Sequence, residues 1–196
     1  FDDQLGNHDV KGFRGHFRVL FREKRLTTGG FKAIFGAVIA LVFSLGTLEL
    51  TKNQWPIWTL ISNFLLVALS ANSINLSDLR PGRAGKFYLF GFILIVIFSR
   101  NSESHLGLFL PVLATLLYYL PYDLRAEVMM GDSGSNLLGA SLGMMMAWMF
   151  SDMSKAIALI LLLGLQLLAE KYSISAIIER TSWLKYLDEL GRRRKA

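Results

Sequence analysis

Residues 57 to 78 read IWTLISNFLLVALSANSINLSD, an apolar run from Ile57 to Leu76 that closes on amides, hydroxyls and the carboxylate of Asp78. Its length suits a transmembrane helix, which needs roughly 17 to 25 predominantly apolar residues. Asn72, Asn75 and Asp78 are three apart and so project from one side of that helix. Amides inside a span are costly unless partnered. Taken alone, this trio reads as hydrogen-bonding groups for a neighbouring helix, a common use of polar residues in membrane bundles.

Five more apolar stretches flank this one: Ala33 to Leu48, Phe87 to Ser99, Leu106 to Leu120, Leu137 to Phe150 and Ala156 to Ala169. The expected fold is all-α, a polytopic membrane helix bundle with about six transmembrane helices, several of them short enough to need flanking residues or a thin bilayer. Of the 196 residues, 53% are hydrophobic and 18% charged, and the mean hydropathy is +0.41, too apolar for an ordinary soluble domain. A single membrane domain is expected over residues 1–196: a cytoplasmic loop at 1–32, six helices with short loops over 33–169, and a basic cytoplasmic tail at 170–196. The chain opens on Phe1 and two carboxylates and carries no secretory signal pattern, which reads as the later part of a longer protein. Absence of cysteine excludes disulfides and thiolate chemistry.

The formal charge of +6 invites a nucleic-acid reading. Charge placement excludes it. If the six stretches alternate across the bilayer with the N-terminus inside, all of the 21 basic residues except Lys52, Arg100 and Lys155 fall on the inner side. That is the positive-inside pattern, and it predicts a multi-pass protein of the inner membrane with motif loops and both termini cytoplasmic. Trp55 and Trp58 read as interfacial rings, and Met144, Met145 and Met146 as packing. The segment from Glu170 to Ala196 alternates apolar and charged residues and ends Arg-Arg-Arg-Lys-Ala. It reads either as a helix lying on the inner leaflet among anionic lipids or as a topology anchor.

Two inner segments carry candidate chemistry. Met130-Gly131-Asp132-Ser133-Gly134-Ser135-Asn136 sets two glycines and two hydroxyls around one carboxylate, directly before an apolar helix. Glycines let backbone amides approach a phosphate, and a helix N-terminus favours the anion. Asp132 suits a hard cation such as Mg2+, which takes one or two protein carboxylates and completes its shell with water and substrate phosphates. The competing reading is a helix N-cap made by Asp132, Ser133 or Ser135. The loop from Asp78 to Lys86 presents Arg80, Arg83 and Lys86, either as a diphosphate clamp or as topology determinants.

The order of these motifs, Asp2-Asp3, then Asn72-x-x-Asn75-x-x-Asp78 at the end of a span, then Met130-Gly131-Asp132-x-Gly134-Ser135 opening another, resembles the polyprenyl-phosphate N-acetylhexosamine-1-phosphate transferases. The resemblance covers Asp2 to about Ala169 and implies the later part of a family fold of roughly ten helices. It implies transfer of a sugar 1-phosphate from a UDP-sugar donor to a polyprenyl phosphate lipid, with release of UMP, dependence on Mg2+, and a role in initiating a cell-envelope glycan. Carried residue by residue, it makes Asp132 the metal ligand and Asp2 and Asp3 the catalytic pair that orients or deprotonates the lipid phosphate. Asn72, Asn75 and Asp78 would line the nucleotide and diphosphate site, with Arg80, Arg83, Lys86, Ser133 and Ser135 as further substrate-binding candidates. Membrane lipids are the other expected partner, nucleic acid is not one, and a homodimer is compatible with the sequence.

The chain departs from the family pattern in three places. Asp78-Leu79-Arg80-Pro81-Gly82 lacks the family's first glycine and second carboxylate, Gly6 stands where a lysine is common, and no histidine-rich loop follows the penultimate span, the only histidines being His8, His16 and His105. These departures keep open an alternative, a catalytically altered relative that binds a lipid phosphate as a scaffold or regulator. A transporter using Asn72, Asn75 and Asp78 as a midplane ion site is disfavoured by the end-of-span position of Asp78.

Overall fold

The computed structural model describes residues 28–51, 56–99 and 105–192. Asp2, Asp3, Trp55 and the terminal Arg193, Arg194 and Lys195 lie outside them. Every described element is helical: α1 (Thr28–Thr51), α2 (Pro56–Ser77), α3 (Arg83–Phe98), a 3-10 turn (Leu106–Leu108), α4 (Leu110–Leu124), α5 (Gly131–Met149), α6 (Asp152–Lys171), α7 (Ile174–Arg180) and α8 (Ser182–Glu189). Each of the six apolar stretches falls on one of α1 to α6. By length and composition two of these, α2 and α6, suffice to cross a membrane, while the apolar part of α1 is shorter, Ile34–Leu48. The 16 residues of α3 and 15 of α4 fall below the roughly 20 that cross a typical bilayer upright.

Helix α2 is the hub, packed against α1, α3, α5 and α6. Several of its small polar residues satisfy themselves: Ser73 Oγ donates to Leu69 O at 2.7 Å and Ser77 Oγ to Ile74 O at 2.6 Å. Such side chains leave room for a close neighbour, and α5 supplies the matching surface. A Cβ on Gly139 would stand 2.5 Å from Ala71 Cα, and one on Gly143 2.6 Å from Leu66 O. Glycines four apart on one helix row thus bring two backbones together, the small-xxx-small device of membrane helix pairs. Leu66, Ile74, Tyr88, Phe92, Leu138, Leu142, Met145 and Met149 form the core around this seam, so the methionine run does act as packing, through Met145 and Met146. By contrast α6 turns Ile157, Ile160, Leu161, Leu163, Leu167 and Leu168 outward, a surface suited to lipid.

Long-range contacts give the helices alternating directions. Ser135 near the start of α5 meets Asn75 near the end of α2, whereas Lys155 and then Gln166 of α6 follow Asn63 and then Ser73 along α2. The segments 78–82 and 125–130 and the tail therefore gather at one end of the bundle. Near the other end lies a buried polar chain: Lys155, 4% exposed, donates Nζ to Asn63 Oδ1 at 2.8 Å, and Asn63 Nδ2 donates to Thr47 Oγ1 at 2.9 Å. Lys155, expected in an outer loop, instead sits in the first turn of α6, where a buried ammonium needs acceptors.

Candidate functional site

At the polar end, α2 unwinds through Asp78 into a tight turn that reaches α3. Gly82 has a φ of 76°, a left-handed conformation that glycine adopts without strain. Its N–H donates to Asp123 Oδ2 at 3.0 Å, which pins the end of α4 to the start of α3. Asp123 is 3% exposed and stands close enough to act electrostatically on Asp78, as does Asp132 from the first turn of α5. Asp78, in the turn after α2, therefore lies within the field of two further carboxylates, one from α4 and one from α5.

Asn75 joins them. Ser135 Oγ donates to Asn75 Oδ1 at 2.9 Å and also lies 3.1 Å from Gly131 O. Asp132 and Ser133 are exposed, on the first turn of α5 rather than in a loop before it. The N-cap position belongs to Met130, with no side-chain cap hydrogen bond, and Ser135 directs its hydroxyl to Asn75 rather than to an orphan amide. An acid in the first turn is favoured by the helix dipole. Tyr119, one turn before Asp123, has its hydroxyl buried without a hydrogen-bond partner, within the field of Asp123 and Asp78.

Asn72 goes elsewhere. Its Nδ2 donates to Gln166 Oε1 at 2.6 Å, and Gln166 Nε2 donates to Ser73 Oγ at 3.0 Å and Leu69 O at 3.2 Å. This amide clasps α6 to α2, whereas Asn75 meets α5. The three cations of the loop are also engaged, by the tail. Arg83, 1% exposed, forks onto Asp188 through Nε at 2.7 Å and Nη2 at 3.0 Å, and gives Nη1 to Ser175 Oγ at 2.8 Å. Lys86 Nζ donates to the carbonyls of Asp188 at 2.6 Å and Leu187 at 3.1 Å, Arg80 pairs with Glu179, and Arg192 donates to Pro81 O. In this arrangement Arg83 and Lys86 hold the tail rather than an open anion site. Asp123, Asp188 and Gln166 escaped the sequence reading. Asp123 had a local signal, an acid one turn beyond an apolar stretch; the other two had none.

Burial raises the Asp78 carboxyl above its ordinary 3.8, and the charges of Asp123 and Asp132 add to the effect. An acid raised by folding is best tolerated when protonated, so stability falls as pH rises from the ordinary value through the raised one. Asp78→Asn is therefore expected to raise the thermal midpoint at neutral pH, by about 2–4 °C for each kcal/mol of burial cost and repulsion relieved. The gain should vanish below the ordinary carboxylate range, a difference that melting curves at neutral and strongly acid pH will read. Asp188 behaves oppositely. Burial alone would raise it, but the Arg83 hydrogen bonds and charge, with Arg192 and Lys86, hold it below the usual range. Its contribution is present above the ordinary value and is lost only as pH falls through the depressed one.

Asp188→Ala is expected to free the tail, seen as about 10-fold faster tryptic cleavage at Arg180 and Lys185, roughly 1.4 kcal/mol of opening free energy. That is less than the roughly 3–5 kcal/mol lost when a broken pair stays buried, because departure of the tail returns Arg83 to water. Pairing Arg83→Met with Asp188→Leu should restore docking, since apolar replacement of both partners is often neutral.

Among the described residues no three carboxylates or imidazoles are disposed to hold a metal. The donor set nevertheless fits Mg2+, which needs only one or two protein carboxylates when phosphates and water complete its shell. Mutual repulsion at Asp78 and the orphaned Tyr119 hydroxyl are both features that a cation with its water or phosphate ligands would relieve.

A helical bundle with two helices long and apolar enough to cross a membrane, which collects acids, an amide and hydroxyls at one end, has the form of a membrane protein with a one-sided polar site. The chain belongs to glycosyl transferase family 4, whose model matches residues 19–150. That match takes in Asn75, Asp78, Asp123, Asp132 and Ser135, while α7 and α8 lie beyond it. The phospho-N-acetylmuramoyl-pentapeptide-transferase of Fervidobacterium nodosum is 35% identical over 92 residues, 46% of this chain and 29% of that protein. The enzyme of the same name from Petrotoga mobilis is 32% identical over 109 residues, 55% of this chain and 32% of its own. That from Thermotoga neapolitana is 29% identical over 93 residues, 47% and 31% respectively. The chain thus matches about a third of the length of these relatives. No solved structure matches it.

Proposed function

We propose that the protein transfers a sugar 1-phosphate from a UDP-sugar to a polyprenyl phosphate at the cytoplasmic face of the inner membrane, releasing UMP and initiating a cell-envelope glycan. The observation that carries this reading is the convergence of Asp78, Asp132, Asn75 and Ser135 at one end of the bundle, in a chain of this family. The relatives' names, which specify a phospho-sugar as the group moved, support it further.

In the reaction an oxygen of the lipid phosphate forms a bond to the sugar-bearing phosphorus, and the bond from that phosphorus to the uridylate oxygen breaks, so one diphosphate replaces another. Little covalent work is left to the protein, which must align donor and acceptor and balance their charge. Asp132 would hold a Mg2+ ion, which would supply electrostatic stabilisation of the phosphate oxygens. Asn75, oriented by Ser135, offers its amide Nδ2 as a donor to phosphate or ribose. Asp78 lies within the field of Asp132, and the Gly82–Asp123 bond holds its turn in place. Asp2 and Asp3 are assigned to the lipid phosphate on the motif order alone. Arg80, half-exposed, is the loop cation best able to exchange its tail partner for a diphosphate, whereas Ser133 lies open beside Asp132.

The reading is tested by transfer of radiolabelled sugar phosphate from UDP-N-acetylglucosamine, then from other UDP-sugars, to undecaprenyl phosphate in membranes holding the full-length protein, with and without Mg2+. Labelled lipid formed only with the metal establishes the transferase and begins to define the donor. If the folded protein binds polyprenyl phosphate yet yields no product from any donor, it is the altered relative acting as a scaffold, a reading that the occupied Arg83 and Lys86 favour.

A further inference from the structure

Helix α8 divides its surface three ways. Asp188 and the half-buried Leu184 face the bundle, and Lys185 and Glu189 pair at 4.0 Å on the side away from it. The third sector holds Trp183, Tyr186, Leu187 and, just past the helix end, Leu190, spaced at the i, i+3, i+4, i+7 positions of one face. These four are 64%, 67%, 49% and 53% exposed. Nothing in the bundle covers them, although two are aromatic and all are large.

Position and charge both say what does. Asp188 anchors α8 to Arg83, the first residue of the apolar helix α3, so α8 is held at the level where the apolar helices leave the polar end. Arg180 and Lys185 are exposed on the same tail, Arg192 follows directly after the helix, and the sequence continues into Arg193, Arg194 and Lys195. Tryptophan and tyrosine beside clustered cations are the composition of a helix lying in the headgroup layer, apolar face down, on anionic lipid.

We propose that α8 is an interfacial helix that binds the anionic lipid surface surrounding the bundle, on the side where Asp78 and Asp132 open. Lipid contact on one side and the Arg83–Asp188 pair on the other hold the tail between bilayer and bundle. Since Arg192 also reaches Pro81, next to the Gly82 that binds Asp123, the lipid-bound tail braces the turn that carries Asp78. This inference stands apart from the proposed reaction and is read without any activity.

The chain has no cysteine, so a single introduced one takes a nitroxide label cleanly. Tyr186→Cys and Lys185→Cys, neighbours on different faces and both exposed, are labelled in the complete protein. They are then reconstituted in phosphatidylcholine vesicles containing a third phosphatidylglycerol. Collisions with oxygen, which concentrates in lipid, should dominate at Tyr186, and collisions with an aqueous nickel chelate at Lys185. The two accessibility ratios are expected to differ by at least about fivefold, as for a helix half-sunk in the interface. In phosphatidylcholine alone the Tyr186 label should shift toward the aqueous value. Equal nickel accessibility at the two sites overturns the proposal, because the face then lies in water. Shielding of Tyr186 from both quenchers also overturns it, because protein, such as a second copy of the chain, then covers the face. An unchanged depth without phosphatidylglycerol overturns the anionic requirement.

Discussion

Asp132→Asn is expected to lower sugar-phosphate transfer at least about 100-fold while leaving the folded bundle intact. Asparagine keeps the shape of the side chain and removes only its charge. Asp132 is exposed, on the first turn of α5, so the substitution removes no core packing. Relief of its repulsion on Asp78 opposes the loss of its favourable place in the first turn of α5, worth about 0.3–1 kcal/mol, so the variant should melt close to the parent. The chemical cost is of another order: loss of an anionic ligand to a cation that stabilises transferring phosphate is worth several kcal/mol, and about 3 kcal/mol already corresponds to about 100-fold in rate. The assay is initial-rate formation of labelled polyprenyl diphosphate sugar at saturating donor, with a Mg2+ titration beside it. A partial defect rescued by high metal would mark weakened metal binding. Full activity of Asp132→Asn across the titration would remove the residue from the chemistry and with it the proposed site.

The acids could be read from the sequence because alternation of helices across a bundle is a strong constraint. Once Ile57 to Leu76 and Leu137 to Phe150 are helices running in opposite senses, Asp78 after the first and Asp132 before the second must lie at the same end. Asn72 and Asn75 show where that logic stops. Three residues on a helix turn through about 300°, leaving a 60° offset. On an exposed helix this is one face, but α2 is packed on several sides, and 60° suffices to give Asn72 to Gln166 of α6 and Asn75 to Ser135 of α5. The cations hid a different fact. Arg83 looked free for a phosphate because its partner, Asp188, lies 105 residues along the chain, among alternating charges that offered no reason to single it out. Helix lengths were legible only coarsely, since the motif around Asp132 reads as a loop by its glycines yet forms the first turn of α5.

The glycine row Gly139 to Gly143 did have a visible signal, its four-residue spacing, and it carries the largest expected effect on stability. Gly143→Leu is expected to unseat α5 from α2 and to destabilise the bundle by about 3 kcal/mol or more. The added Cβ would stand 2.6 Å from Leu66 O and 2.8 Å from Val67 N, so the obstruction is backbone that cannot change rotamer. Overpacking against movable side chains typically costs about 1–3 kcal/mol. Here the axes themselves must part, and the core contacts of Leu138, Leu142 and Met145 part with them. The damage should also reach the site. Ser135, Gly139 and Gly143 occupy one row of α5, so a shift at Gly143 stretches the 2.9 Å bond from Ser135 to Asn75 and turns the first turn of α5, with Asp132, away from Asp78. Gly164→Ala on α6 is the matched control, because a Cβ there meets nothing within 4 Å and the exchange gains about 1 kcal/mol of helix propensity. Melting of purified protein in one detergent should therefore order the variants Gly164→Ala, parent, Gly143→Ala, Gly143→Leu from most to least stable. If Gly143→Leu instead melts with the parent, the two helices do not meet backbone to backbone, and the geometry that brings Asn75 to Ser135 loses its support.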